Sequence, residues 1–353
     1  MRHLRVIFAA VLCTWAITGL AGVTSSSRPA LAQATCGTEW PTSSLQIMAP
    51  AAPGGGWDTT AREIQRVMQE EKVVDKDVQV FNVPGAAGTS GLAELVNEDK
   101  GDENMMMVMG LVMVGGIALN QSPVNLDSVT PIARLTTEYE VIVVPKDSPY
   151  QTLGDLITAF KADPGSISWG GGSAGGTDHI LAGLIAQAAG IDPTLVNYVA
   201  FSGGGEALAA VLGGQVSAGI SGLSEWQSQI ESGELRALAI SGRGAAAGDG
   251  TPATSLQASA APTFGSDIQT LQEQGIDVEL ANWRGIVAPP GISDDAKGCM
   301  IASMQTLTSS PGWQSALATN GWTDYFQPGD DYASFLASER DRVNTILSQL
   351  GLI

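Results

Sequence analysis

"APAAPGGGWDTTAREIQ", residues 49–65, runs an apolar strand end through a proline- and glycine-rich turn into a helix with an acid at its mouth. Ahead of it "LQIMA" (45–49) has the composition of a buried strand. Behind it Ala61, Ile64 and Met68 recur at spacings of three and four, the period of one helix face. The same passage from strand to glycine turn to helix returns at "VPGAAGTSG" (83–91), "WGGGSAGGTD" (169–178) and "FSGGGEA" (201–207). Strands alternating with helices in this way predict an α/β fold with parallel sheets covered by helices. A helix N-terminus presents unpaired N–H groups and a partial positive charge, and glycine lets an anion approach them. One such turn can be no more than a tight connection. Four in one chain, from two regions of sequence, predict an anion clamp built from backbone, and that explains why the first turn needs no lysine.

The remaining elements follow the same alternation. Strands are expected at "VQVFNV" (78–83), "SISWGG" (166–171), "VNYVAF" (196–201), "VSAGIS" (216–221) and "LRALAIS" (235–241), with helices over 152–162, 177–189, 205–212 and 224–231. "MMMVMGLVMVGGIAL" (105–119) is too short and too glycine-split to span a membrane and reads as a buried strand and turn. Two unusually long extended runs, "TPIARLTTEYEVIVVPKDSP" (130–149) and "VELANWRGIVAPPG" (278–291), flank the middle block, and two helices are expected to close the chain. Long strands on either side of a middle block predict one lobe interrupted by a second: lobe 1 from 45–143 and 283–353, lobe 2 from 144–282, with a cleft between them. The stretch 242–265, rich in Ala, Gly, Ser, Thr and Pro, has the composition of a mobile surface loop.

At 353 residues and 44% hydrophobic, the chain has ample material for two such lobes. Its first 34 residues read as an export signal: Arg2, His3 and Arg5, then a mostly apolar run from Val6 to Val23, then small-residue cleavage sites in "ALAQA" (30–34). A retained anchor is the alternative, though Thr14, Thr18 and Gly19 break the run. Cleavage removes Arg2, Arg5 and Arg28 and no acid, taking the net charge from −19 to −22. That excludes nucleic acid and anionic membrane surfaces as expected partners, but not a small anion held at contact distance by backbone dipoles. Cys13 leaves with the signal, so Cys36 and Cys299 remain. In an oxidising compartment they either pair as a disulfide, or Cys299 is a buried thiol and Cys36 sits on a frayed tail.

Sharper motifs fail on their context. Gly170, Gly172 and Gly175 fit a dinucleotide-binding spacing with Asp192 further on, but a glycine run meets that pattern by composition alone. "GGSAG" (171–175) fits a nucleophile elbow, yet the single histidine of the mature chain, His179, follows Ser173 too closely to be its base. One histidine and two cysteines without ligand spacing give no metal site. Hence no catalytic residue, metal or cofactor is expected. His179 is either a helix-start residue bonded to a neighbouring turn or a ligand contact.

"PGGGWDTTAR", "NVPGAAGTSG", "GGGSAGGTDHILAG", "FSGGGEALAAVLGGQVSAGISG", "LRALAIS" and "NWRGIVAPPG" occur in this order and at these spacings. Together they resemble the solute-binding component of tripartite tricarboxylate transporters, the TctC or Bug family, over about Leu45 to Ile353. The resemblance implies a type II periplasmic-binding-protein fold, two α/β lobes joined by two crossing strands. It also implies a periplasmic, monomeric receptor that captures a small organic carboxylate, largely by main-chain groups, and delivers it to the permease subunits of the transporter. Carried onto this chain, the contacts come from Ala52, Pro53, Gly54, Gly55, Gly56, Trp57 and Asp58. Facing them are Gly172, Ser173, Ala174, Gly175, Gly176 and Thr177, with Ser202, Gly203, Gly204 and Gly205. Trp57 stands where the family often has a small polar residue, and Phe201–Ser202 replaces a commoner Tyr–Lys pair, which removes a cation. Asp58, Asp178 and Glu206 would cap helix starts or meet an amine or hydroxyl of the ligand. Arg62 is expected to pair with an acid of its own lobe, and Arg284 to support the hinge or touch the ligand.

Overall fold

The computed structural model describes residue 36 and residues 39–242 and 265–353. The expected export signal (1–34) and residues 243–264 of the Ala/Gly/Ser-rich stretch lie outside them. Strand β1 (Leu45–Ala49), apolar at four of its five positions and almost wholly buried, is the seed of the sheet. It pairs in parallel with β2 (Val78–Asn82) and β3 (Met105–Gly110), in the registers Ile47–Val80 and Ile47–Met106. Between them run α1 (Gly56–Glu70), which buries Trp57, Ala61, Ile64, Val67 and Met68 along one face, and α2 (Thr89–Asn97).

The second half of the 105–119 run is helix α3 (Leu111–Leu119), not the turn that its glycines suggest. Gly115 and Gly116 sit there because the helix is approached closely. A Cβ on Gly115 would lie 1.9 Å from the carbonyl oxygen of Gly175, and one on Gly116 would lie 2.5 Å from Ala87 Cβ.

Strand β4 (Thr130–Pro145) is a single extended run of 16 residues. Next come α4 (Leu153–Ala162), started by a Thr152–Asp155 capping box, then β5 (Ser168–Gly171), α5 (Thr177–Ala188), β6 (Asn197–Ala200) and α6 (Gly204–Leu212). They are followed by β7 (Ala218–Gly222), α7 (Leu223–Glu231), β8 (Leu235–Ile240) and β9 (Ala281–Ala288). The chain then closes with α8 (Asp294–Thr308), α9 (Pro311–Asn320), β10 (Thr323–Pro328) and α10 (Gly329–Gln349). Three helices and a strand stand where two helices are expected. Ser310 caps α9 just ahead of Pro311, Gly321 ends it in the left-handed conformation at φ 63°, and β10, starting two residues later, pairs with β4 at both its ends.

The sheet order is β2-β1-β3-β9-β4-β7-β5-β6, with β10 and β8 also paired to β4. β4 is the pivot. From Thr130 to Tyr139 it lies antiparallel to β9, and from Glu140 to Pro145 it lies against β7 and β8. One half of the sheet therefore carries β1–β3 and the other carries β5–β7, each wrapped by its own helices, as in the two-lobe periplasmic-binding-protein fold. A smaller cluster around Trp226, with Val141, Val143, Ala207 and Val211, packs the second half. Cys36 is joined to Cys299 in α8 as a disulfide, tying the start of the described chain to the closing helices.

Candidate ligand-binding site

In each half the C-terminal ends of the parallel strands carry the glycine turns, so turns from both halves face one cleft of about 390 Å³. Gly55, Gly56 and Trp57 line it from the first half, and Gly172, Ser173, Ala174, Ser202, Gly203 and Gly204 from the second. Arg284, on β9, lines its floor. Ala52, Pro53, Gly54, Asp58, Gly175, Gly176, Thr177, Gly205 and His179 stand outside the lining.

Those residues shape the turns. Asp58 folds back on its own turn: Oδ2 accepts from the Gly54 amide at 2.8 Å and from Arg62 Nε at 3.0 Å, and Oδ1 accepts from Asn82 Nδ2 at 2.9 Å. Burial alone would raise its carboxyl; these hydrogen bonds outweigh burial and hold it below the usual range. Arg62 is thus paired within its own half. His179 Nδ1 accepts from the Gly175 amide at 3.1 Å, and its ring stacks on Tyr198 at 4.2 Å. Burial pushes His179 down to about 4, so it is neutral at pH 7. Gly175 takes φ +74°, and Thr177 Oγ1 donates to Asn282 Oδ1 at 3.3 Å, linking α5 to β9.

The acids of the second half behave as Asp58 does. Asp178 Oδ2 accepts from the Gly172 amide at 2.6 Å, and Glu206 Oε2 accepts from the Ser202 amide at 3.1 Å. Their helix starts are thereby partly satisfied by the chain itself. The cleft-lining amides of Ser173, Ala174, Gly203 and Gly204 have no acceptor among the described residues. They are the donors left for an anion.

The floor is crowded with charge. Arg284 Nη2 is ion-paired with Glu138 of β4 and lies 3.8 Å from Glu225 Oε1 of α7. Ser224 Oγ donates to Glu138 Oε2 at 3.0 Å. Glu140 and Asp178 lie beside this group, so four carboxylates share one guanidinium. Burial, then the neighbouring carboxylates, push Glu140 well above the carboxylate range. Burial lifts Asp178 to about 6 against the pull of the Gly172 amide, and lifts Glu225 to about 8 against the pull of Arg284. Among the described residues no group of three or more His, Cys, Asp or Glu side chains is arranged to hold a metal.

Residues 60–352 match the family described as the tripartite tricarboxylate transporter family receptor, TctC. The chain belongs to this family. Protein BugT of Bordetella pertussis is 25% identical to this TctC receptor over 316 residues, covering 88% of this chain and 90% of BugT. Among solved structures, the periplasmic binding protein BugD superposes with a TM-score of 0.76 at 21% identity, covering 89% of this chain and 99% of BugD. MatC of Rhodopseudomonas palustris, solved with bound malate, superposes with a TM-score of 0.71 at 21% identity, covering 87% of this chain and all of MatC. Among the described residues of the receptor no helix is long and apolar enough to cross a membrane.

The structure also brings to the cleft one of the four glycine turns that the expected contacts do not include, and further residues that carry no sequence signal. Pro84, Gly85, Ala86, Ala87 and Gly88 line it, with Ala86 and Ala87 at φ 46° and 57°. The glycine pattern at 83–91 was the available signal. Ser221, Glu225 and Asn282 have no such signal, because only the pairing of β4 with β7 and β9 carries them to the floor.

Proposed function

We propose that this chain is an exported, non-enzymatic receptor that captures a small organic carboxylate and delivers it to the membrane permease of a tripartite tricarboxylate transporter. The observation that carries the reading is the set of unpartnered amides at Ser173, Ala174, Gly203 and Gly204, which converge on one cleft above Arg284. A turn and a neighbouring helix start of the second half with such donors suit a carboxylate, and glycine keeps the approach open. The malate bound to MatC, which shares the fold, supports the ligand class. Within this reading, 45–143 and 283–353 form lobe 1, 144–282 form lobe 2, residues 1–34 direct export, and the mature protein acts as a monomer.

Calorimetric titration of the purified mature protein with mono-, di- and tricarboxylates, aromatic acids and amino acids tests it. The expected result is saturable one-to-one binding with the ligand recovered unchanged. A ligand present at 100 times its Kd should stabilise the fold by about 2.7 kcal/mol. Conversion of the ligand to product would overturn the receptor reading. For delivery, cells lacking the gene should lose uptake of the bound carboxylate, and uptake unchanged in the deletion would overturn the transport role.

A further inference from the structure

The carboxylate of Glu225 occupies a place that a ligand anion could have taken. The backbone N–H of Gly56, the first residue of α1, hydrogen-bonds to it. Its Oε1 is 3.8 Å from Arg284 Nη2, and its Oε2 is 2.0 Å from where a Cβ on Gly204, the first residue of α6, would stand. A side chain of the protein therefore already fills the anion position between the starts of α1 and α6. Two buried atoms beside the cleft remain without partners among the described residues: Glu225 Oε2, an acceptor, and Nη1 of Arg284, a donor on a side chain only 3% exposed. A buried acceptor and a buried donor left unpaired on two cleft-lining side chains are costly unless a ligand meets both.

We propose that Glu225 sets the charge pattern of the ligand: the cleft takes a carboxylate with an ammonium group on the neighbouring carbon. The ammonium meets Glu225 Oε2, and the carboxylate meets Arg284 Nη1 and the free amides of the second lobe. The charge count points the same way. Even with Glu140 and Glu225 holding their protons, the carboxylates of Glu138 and Asp178 face the single Arg284, so a further bare anion at this end deepens the imbalance, whereas an ammonium relieves it. This inference rests on the carboxylate reading and narrows it.

The test uses matched pairs that differ only in the amino group: aspartate and succinate, glutamate and glutarate, alanine and propionate, phenylalanine and 3-phenylpropionate. Each is titrated calorimetrically into the mature protein. At least one amino member should bind ten times more tightly than its deaminated partner. Glu225→Gln, checked for native unfolding behaviour, should cut that ratio at least tenfold without weakening the deaminated acid. A second readout needs no variant. Facing Glu225 are Glu138 and Glu140 from β4, Asp178 from α5, Arg284 from β9 and the Gly56 amide from α1. In that setting Glu225 is largely protonated at pH 7, and an arriving ammonium should drive its proton off. The binding heat should then vary with the ionisation enthalpy of the buffer in the direction of proton release. Equal or tighter binding of the deaminated acids overturns the inference and leaves the carboxylate reading standing. An unchanged ratio in Glu225→Gln overturns it as well. Binding of no member of any pair overturns the inference, and the carboxylate reading then rests on the wider titration above.

Discussion

His179 and Glu225 are both partly buried, and burial moves their proton affinities in opposite directions. His179, pushed down to about 4, stays neutral in the fold while the unfolded chain takes up a proton below 6.5. It therefore adds stability as pH rises from about 4 to 6.5. Asp178, Glu140 and Glu225 act the other way. The fold keeps their protons after an unfolded chain has released them, so their contribution is full at low pH and is lost as pH rises. For Asp178 the loss runs from 3.8 to about 6, and for Glu225 from 4.5 to about 8. Three raised acids outweigh one depressed histidine, so the mature protein should melt at a higher temperature at pH 5 than at pH 8. Glu225→Gln should flatten that fall. Thermal unfolding scans across this range check it, and a Tm that rises towards pH 8 would reject the protonated floor. A second residue-scale outcome separates neighbouring glycines. A Cβ on Gly56 would stand 2.2 Å from Arg284 Nη2 and 2.9 Å from Glu225 Oε1, whereas one on Gly55 would meet only the Ala52 carbonyl at 3.7 Å. Gly56→Ala should cost roughly 1–3 kcal/mol by displacing the buried ion cluster. Gly55→Ala, whose backbone lies at φ −85°, should stay within about 0.5 kcal/mol of the parent in urea unfolding.

At the level of elements, the strand–turn–helix units were legible because their signals are local: apolar runs, glycine at the turn, an acid on the first helical residues. Asp58, Asp178 and Glu206 each reach back to an amide of their own turn, and that pairing is visible in spacing alone. α3 was not legible, since uniform apolarity has no period and its two glycines look like breakers until the surface pressing on them is known. Glu138, Glu225 and Ser221 were hidden for another reason. They come together only through the register of β4 with β7, where Glu140 stands opposite Gly222. The end of the chain misled because a six-residue strand between helices has too little alternation to announce itself. The Cys36–Cys299 link joins α8 to a residue 263 positions away. Thiol counting on the denatured, unreduced mature protein should find no free cysteine. Loss of the link in Cys299→Ser should lower stability by a few kcal/mol at most, as chain-entropy arguments allow for so long a loop. Two titratable thiols per chain would reject the link in the exported protein.

For the whole molecule, the two sheet halves share β4, and the chain returns from the second half to the first at the start of β9, so rotation about these two connections is the expected motion. A ligand held by turns of one lobe gains the donors of the other only on closure, and that difference in contacts is what shifts the balance between open and closed. Ligand should therefore reduce the radius of gyration in small-angle scattering. Trp57, at the cleft wall, should report closure by fluorescence. Trp283 should report less, because its Nε1 is fixed to Glu339 Oε2 at 2.7 Å in the buried interior. A verified ligand at saturation that alters neither signal would mean a rigid receptor.

How far the cleft can shut should depend on two absent side chains. Gly115 of α3 and Gly175 ahead of α5 let main chain rest on main chain across the proposed lobe boundary, since even one added carbon at 115 would intrude to 1.9 Å. A leucine there would work as a doorstop. Gly115→Leu should hold the lobes ajar, keep the scattering profile of the empty protein in the presence of ligand, and weaken capture at least tenfold, although residue 115 is not among those lining the cleft. Full compaction of that variant by ligand would show that the jaws meet somewhere else.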